Sequence, residues 1–216
     1  DGATVVIPGK VAGTNFSDSL LVGHSTTGTL NNAQNNVGVG IGTLDSITSG
    51  DNNVAIGKNA LTALTTSSNN VAVGLSSAQN LTTSAGGNTA FGNSSLYHNK
   101  TGTDNVAIGN SALQGASNQS SSGGVALGAS ALEAVTTGAN NIGIGKGAGD
   151  NITSGAGNVI IGSLNAGSAT GSRQLKIAGN DGSTTTTWIS GDSSANVVIG
   201  GTVTEYGGAS LTTTGK

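Results

Sequence analysis

Asn53-Val54-Ala55-Ile56-Gly57 and Asn105-Val106-Ala107-Ile108-Gly109 are two copies of one five-residue phrase. Variants of it occupy 36–40, 70–74, 88–92, 124–128, 141–145 and 158–162. The closing glycines stand at 40, 57, 74, 92, 109, 128, 145 and 162, so the spacings are 17, 17, 18, 17, 19, 17 and 17. A weaker copy, Ser19-Leu20-Leu21-Val22-Gly23, lies 17 residues before Gly40, and Asn196–Gly200 repeats the phrase out of phase. Such a period marks an array whose units bury apolar surface only against their neighbours. The unit is short for a helical repeat and suits short strands. The expected fold is therefore all-β, a parallel β-solenoid of about 17 residues per coil. Residues 1–18 read as an N-terminal segment and 19–165 as the repeat domain. Residues 166–216 read as a C-terminal β region that caps the rod or joins a further module.

Within the phrase, Val54 and Ile56 are two apart and share one strand face, which is expected to point inward. The residue between them faces the other way, and it is tiny in Gly38, Ala55, Ala72, Ala90, Ala107, Ala126 and Gly143. A solvent-facing strand position would accept Thr, Lys or Glu. Strict smallness therefore implies close packing, either against the same strand of another copy around a shared axis or within a narrow second core of one chain. The first option makes the rod an oligomer. In the second half of the unit, Leu44/Ile47, Leu61/Leu64, Ala78/Leu81 and Leu132/Val135 are three apart. That spacing fits a bent strand, a bulge or a single helical turn. The closing Thr-Thr/Ser-Gly-x-Asn-Asn is turn chemistry, and one Asn per coil can stack into an amide ladder. With layers ~4.8 Å apart, nine coils make a rod on the order of 40 Å long.

Composition supports a thin molecule. Charged residues are 8 % of the 216, against roughly 25 % in an ordinary globular domain. The aromatic residues are Phe16, Phe91, Tyr97, Trp188 and Tyr206, too few for a large compact core. Disorder is opposed by the regular apolar period, by the low charge and by a single proline, Pro8. Net charge is −3 and the seven basic residues are scattered, so no nucleic-acid footprint exists. No apolar run approaches the ~20 residues of a membrane span, so no membrane insertion is expected. The chain opens on Asp1, lacks Met and shows no signal peptide, which reads as a processed chain or a fragment. The absence of Cys excludes disulfides and thiolate metal sites.

The repeated Asn-Val-Ala-Ile-Gly phrase, followed by Lys58-Asn59-Ala60-Leu61 or Asn110-Ser111-Ala112-Leu113, resembles the head repeats of YadA-like trimeric autotransporter adhesins and of bacteriophage tail-fibre proteins. The resemblance covers roughly residues 19–165 and implies a left-handed β-roll with three intertwined chains. The coil here is longer than that family's usual one. The stretch from Ser172 through Trp188 to Gly200 looks like the region that follows such repeats in phage fibres, where an assembly or chaperone domain often comes next. No anchoring barrel or heptad stalk is visible. The resemblance therefore implies a structural and adhesive fibre of a virion, engaged in host-surface attachment. Its partners would be itself, other virion or fibre proteins, and a host glycan or outer-membrane receptor. The alternative is the head of a bacterial surface adhesin. A second alternative is a Thr-rich ice-binding solenoid, suggested by Thr65-Thr66 and Thr136-Thr137 but interrupted at Tyr97-His98 and Ser117-Asn118.

No residue set points to catalysis, to a cofactor or to a metal. Gly143-Ile-Gly-Lys-Gly-Ala-Gly149 has glycines that belong to the repeat, and Lys146 is not followed by Ser or Thr, so no phosphate loop is expected. His24 and His98 lie in different units. Asp18, Asp45, Asp51, Asp104, Glu133, Asp150, Asp181, Asp192 and Glu205 show no grouping in the sequence that would pair two carboxylates. The loop with Tyr97, His98 and Lys100 is rich in aromatic and polar side chains and is the candidate receptor contact. Trp188 is expected to be a packing anchor over the last coils.

Overall fold

A computed structural model describes residues 9–24, 26–116 and 119–201. Pro8, Glu205, Tyr206 and the Ser117-Asn118 interruption lie outside the described residues. The chain is all-β and forms the parallel solenoid expected from the period. Strands β1 (Gly9–Gly13) and β2 (Phe16–Val22) form an antiparallel hairpin, and β3 (Ala33–Gln34) pairs with β2. One three-residue strand per coil then follows: β4 (Val37–Val39), β5 (Val54–Ile56), β6 (Val71–Val73), β7 (Thr89–Phe91), β8 (Val106–Ile108), β9 (Val125–Leu127), β10 (Ile142–Ile144) and β11 (Val159–Ile161). Next come β12 (Leu175–Asn180), β13 (Thr185–Gly191) and β14 (Val197–Ile199). From β2 to β12 every neighbour in the stack is parallel and in unbroken register. The stack thus reaches past residues 18 and 165 on both sides. β13 and β14 continue the sheet as an antiparallel meander.

The facing of the strand is the reverse of the expectation. The small central residue is the buried one, and the flanking Val and Ile point out of the coil. Ala55 is 0 % exposed and Ile56 is 40 % exposed; Ala107 and Ile108 are 0 % and 43 %. Strict smallness arises from a narrow core within one chain. A Cβ added at Gly38 would stand 2.4 Å from the Leu21 Cδ2, and one at Gly143 would stand 2.8 Å from the Leu132 Cγ. Leu132 comes from the opposite wall, where Leu44, Leu61, Leu96, Leu113 and Leu132 are fully buried, whereas Leu21 is the in-register neighbour of Gly38 on the strand wall. Volumes trade across this gap. In the coil where both walls carry glycine, Gly143 and Gly149, Leu132 and Ile160 of the adjoining coils fill the space. Such volume balance is what a close-packed core demands.

The three-residue spacing of the second wall comes from two successive β-turns. In the third coil Ala60 N–H donates to Gly57 O at 3.2 Å and Leu64 N–H to Leu61 O at 3.2 Å. Asn59 (φ 61°) and Leu61 (φ 50°) are left-handed, and this bend brings Leu61 and Leu64 to the same inner face. A left-handed leucine costs roughly 1–2 kcal/mol. Full burial of its side chain returns about 1.5–3 kcal/mol. The glycine that closes each strand has a stricter reason. Gly92 has φ 140°, and a Cβ there would lie 2.4 Å from the carbonyl oxygen of Gly109 in the next layer.

The expected amide ladder is present and buried. Asn36, Asn53, Asn70, Asn88, Asn105, Asn141 and Asn158 are each at most 1 % exposed. Asn53 is representative. Its Nδ2 donates to Asn36 Oδ1 (3.1 Å) and to Ser67 O (3.0 Å), while its Oδ1 accepts from Asn70 N–H (3.0 Å) and Asn70 Nδ2 (3.1 Å). Ser19 starts the ladder by accepting from Asn36 N–H at 2.9 Å, and Gln174 ends it by donating to Asn158 Oδ1. The rung at Gly124 has no side chain. Only its N–H reaches Asn105 Oδ1, at 2.9 Å.

Asn53→Ala should destabilise the fold by about 2–4 kcal/mol, because the Asn70 N–H and the Ser67 carbonyl lose buried partners; urea unfolding reads this. Gly124→Asn should add about 1 kcal/mol by completing the ladder. Its Cβ would meet only side-chain atoms, Asn105 Oδ1 and Leu113 Cδ2, each at 3.1 Å. An unchanged midpoint for Asn53→Ala would show that the ladder does not hold the stack.

Candidate functional site

Each coil offers the outside two kinds of surface. The strand wall carries the outward pairs Val37/Val39, Val54/Ile56, Val71/Val73, Thr89/Phe91, Val106/Ile108, Val125/Leu127, Ile142/Ile144 and Val159/Ile161. Fifteen of these sixteen residues are apolar, none is charged, and Phe91 is 55 % exposed. They form two parallel columns along the whole stack. The turn wall differs. The residue that follows each buried leucine position is Asp45, Thr62, Gln79, Tyr97, Gln114, Glu133 and Asp150 in successive coils. Their stacking is fixed by backbone bonds: Ser46 N–H donates to Thr62 O, Ala63 to Gln79, Asn80 to Tyr97, His98 to Gln114 and Gly115 to Glu133.

Tyr97 and His98, two of the three predicted contact residues, pack edge to face with ring centroids 4.6 Å apart. Both are half-buried, and Lys100 is exposed. Asn99, between them, is buried; its Nδ2 donates to Ser121 O (2.8 Å) and its Oδ1 accepts from Gly102 N–H (2.7 Å). The segment is therefore pinned to its neighbours.

Two readings change. Glu133 and Asp150, 17 residues apart, do form a group: they stand in one column in adjacent coils. Burial, and secondarily the Glu133 charge, raises the Asp150 carboxyl above its ordinary value. The signal was present in the sequence as a separation equal to the period. Trp188 does not cap the core. It is 53 % exposed and lies over Gly179, where an added Cβ would be 2.5 Å from the indole Cζ2.

Glu133 and Asp150 border an open cleft of about 700 Å³. It exists because the last coil lacks the double turn. Ser163, Leu164 and Asn165 of that coil and Thr185 and Thr187 of β13 line it. Lys146 and Lys176 complete the lining. Lys176 sits in register with Ile160, in the column that Ala and Gly fill elsewhere. Its stem closes the core and its ammonium reaches water. No ion pair joins these four charges. The one ion pair among the described residues is His24–Asp45, at 3.8 Å. No group of three or more His, Asp or Glu able to hold a metal occurs among the described residues. Gly143 is a strand residue in the core, so the glycine run forms no anion cradle. The hydroxyls of Thr48, Thr82, Thr136 and Thr153 donate to carbonyl oxygens of the next coil. They do not stand free as a flat hydroxyl face. Among the described residues, no helix is long and apolar enough to cross a membrane.

No protein-family model, no curated protein and no solved structure matches the chain.

Because the folded pKa of Asp150 is raised, the native state binds this proton more tightly than the unfolded state does. The residue therefore weakens the fold at neutral pH, and the penalty fades as pH falls through the carboxylate range. Asp150→Asn should raise Tm slightly at pH 7 and have no effect well below the carboxylate range. Equal effects at both pH values would contradict the burial and Glu133 repulsion described here.

Proposed function

We propose that this chain is a segment of a homotrimeric fibre of a virion, built to project and to contact the host surface. One observation carries the reading: the two outward apolar columns of the strand wall. A lone rod would present an apolar stripe, broken only at Thr89, to water, and stripes of this kind on soluble proteins mark contact surfaces. Three copies related by an axis parallel to the rod would bury all three stripes against one another. Burying the exposed part of each Val or Ile contributes on the order of 1 kcal/mol. The fifteen apolar residues of the stripe together contribute on the order of the ~4–15 kcal/mol cost of association.

The contact surface differs from the one expected from the sequence. The small Ala and Gly residues belong to the core of each chain, and the flanking Val and Ile face the axis. The chemistry of the rod agrees with a structural role. The amides of its buried Asn residues are occupied in the ladder.

Sedimentation of the purified chain should give a mass three times that of the monomer, and a monomer would overturn the proposal. Ile56→Asp together with Ile108→Asp should release monomers while the β-sheet circular dichroism persists, because both side chains lie outside the core of the coil.

A further inference from the structure

We propose that the turn wall from Tyr97 to Asp150 is a binding track for a neutral, hydroxyl-rich chain, an extended oligosaccharide, with its deepest point in the cleft at Glu133 and Asp150. The proposal deepens the fibre reading, on which it rests, by giving the fibre its contact surface. Structural need does not explain this column. Its backbone geometry repeats from coil to coil and its side chains leave the core, so small residues would serve the fold. Instead Tyr97, Gln114, Glu133 and Asp150 follow one another.

The spacing suits a polymer. Successive coils place one such side chain every ~4.8 Å, close to the length that one sugar ring occupies along an extended chain. Each ring can thus meet an equivalent position on the rod. The chemistry suits hydroxyls, which donate and accept at once. The Gln114 amide can do both, the carboxylates accept, and Lys146 and Lys176 donate. The cleft of about 700 Å³ is within the ~300–1,000 Å³ of small-molecule sites. Tyr97, packed at right angles to the His98 ring, supplies an apolar ring for the C–H face of a sugar.

Charge selects against the obvious competitor. The two carboxylates and two ammonium groups of the cleft cancel, and Gln114 and Tyr97 add none. With no net positive charge on the track, a uronate chain gains nothing there to offset the desolvation of its own carboxylates. The track also leaves the coil across the core from the apolar stripe, and therefore stays open when the stripes of several copies are joined.

The test uses the purified chain with hexasaccharides of neutral β-glucan, mannan and N-acetylglucosamine type, and a uronate hexasaccharide as the anionic control. Titration should show saturable binding of at least one neutral hexasaccharide and weaker or no binding of the uronate. E133A/D150A should weaken binding by about tenfold or more, the size expected for losing hydrogen bonds to charged groups, while Lys58→Ala, in a distant coil, should leave it unchanged. If E133A/D150A does not assemble like the parent, Y97A/Q114A provides the same reading from the other end of the track. The site is overturned if no neutral hexasaccharide binds, if the uronate binds better, or if the assembled double variants bind like the parent. Sedimentation of the same samples separates the two proposals. A trimer that ignores sugars removes the track and keeps the fibre, whereas a sugar-binding monomer does the opposite.

Discussion

The buried amide ladder is the interaction on which the rest of the molecule depends. A coil of 17 residues closes with a sharp reversal just before its strand, and that reversal leaves carbonyls pointing into a dry interior. The Asn side chain meets one of these carbonyls, the amide of the rung below and the backbone N–H of the rung above. No other side chain of that length both donates twice and accepts twice. Its cost if broken is high because the site is buried. Register follows from this. Two side-chain atoms and a backbone atom lock one coil to the next wherever both rungs are Asn; at the 19-residue coil the Gly124 N–H alone makes the bond, and the strand ladder keeps the register.

Those longer coils show how the fold absorbs extra chain. The inner aliphatic column of Ile47, Leu64 and Leu81 gives way to Asn99 and Gln119, both buried and joined by a parallel bridge. Asn99 takes over the task of the ladder by bonding Ser121 O and Gly102 N–H. A polar pair thus replaces apolar packing where the backbone departs from the standard path and needs partners. The strand register continues through the irregularity, while the ladder loses one side chain there, at Gly124.

The candidate site arises from the end of the repeat. So long as coils repeat, the turn wall is a continuous surface. At the last coil the double turn is missing, the chain turns back into the β12–β13 hairpin, and a recess opens between them. A solenoid must also stop its own stacking. Lys176 in the core column does this, since a further layer would have to bury its charge. The same residue that terminates the core therefore places an ammonium beside the Glu133–Asp150 pair. Capping and site formation are one event in this structure.

Much of the architecture was legible in the chain because it is periodic. The positions of the strands, the parallel stack, the Asn ladder and the need for glycine at Gly92 and its equivalents all follow from residues that recur every 17 positions. Even the pairing of Glu133 with Asp150 was available as one period of separation, although in linear order the two look unrelated. What the sequence left undetermined was which strand face is inside. A period of two assigns Val and Ile to one side and Ala to the other, but hydrophobicity alone does not say which side has room. Tertiary structure decided it by volume: the wall of left-handed leucines stands so close that only a methyl group or a hydrogen fits opposite. The larger residues are thereby pushed outward, and that physical constraint, rather than any local preference of the strand, creates the apolar stripe.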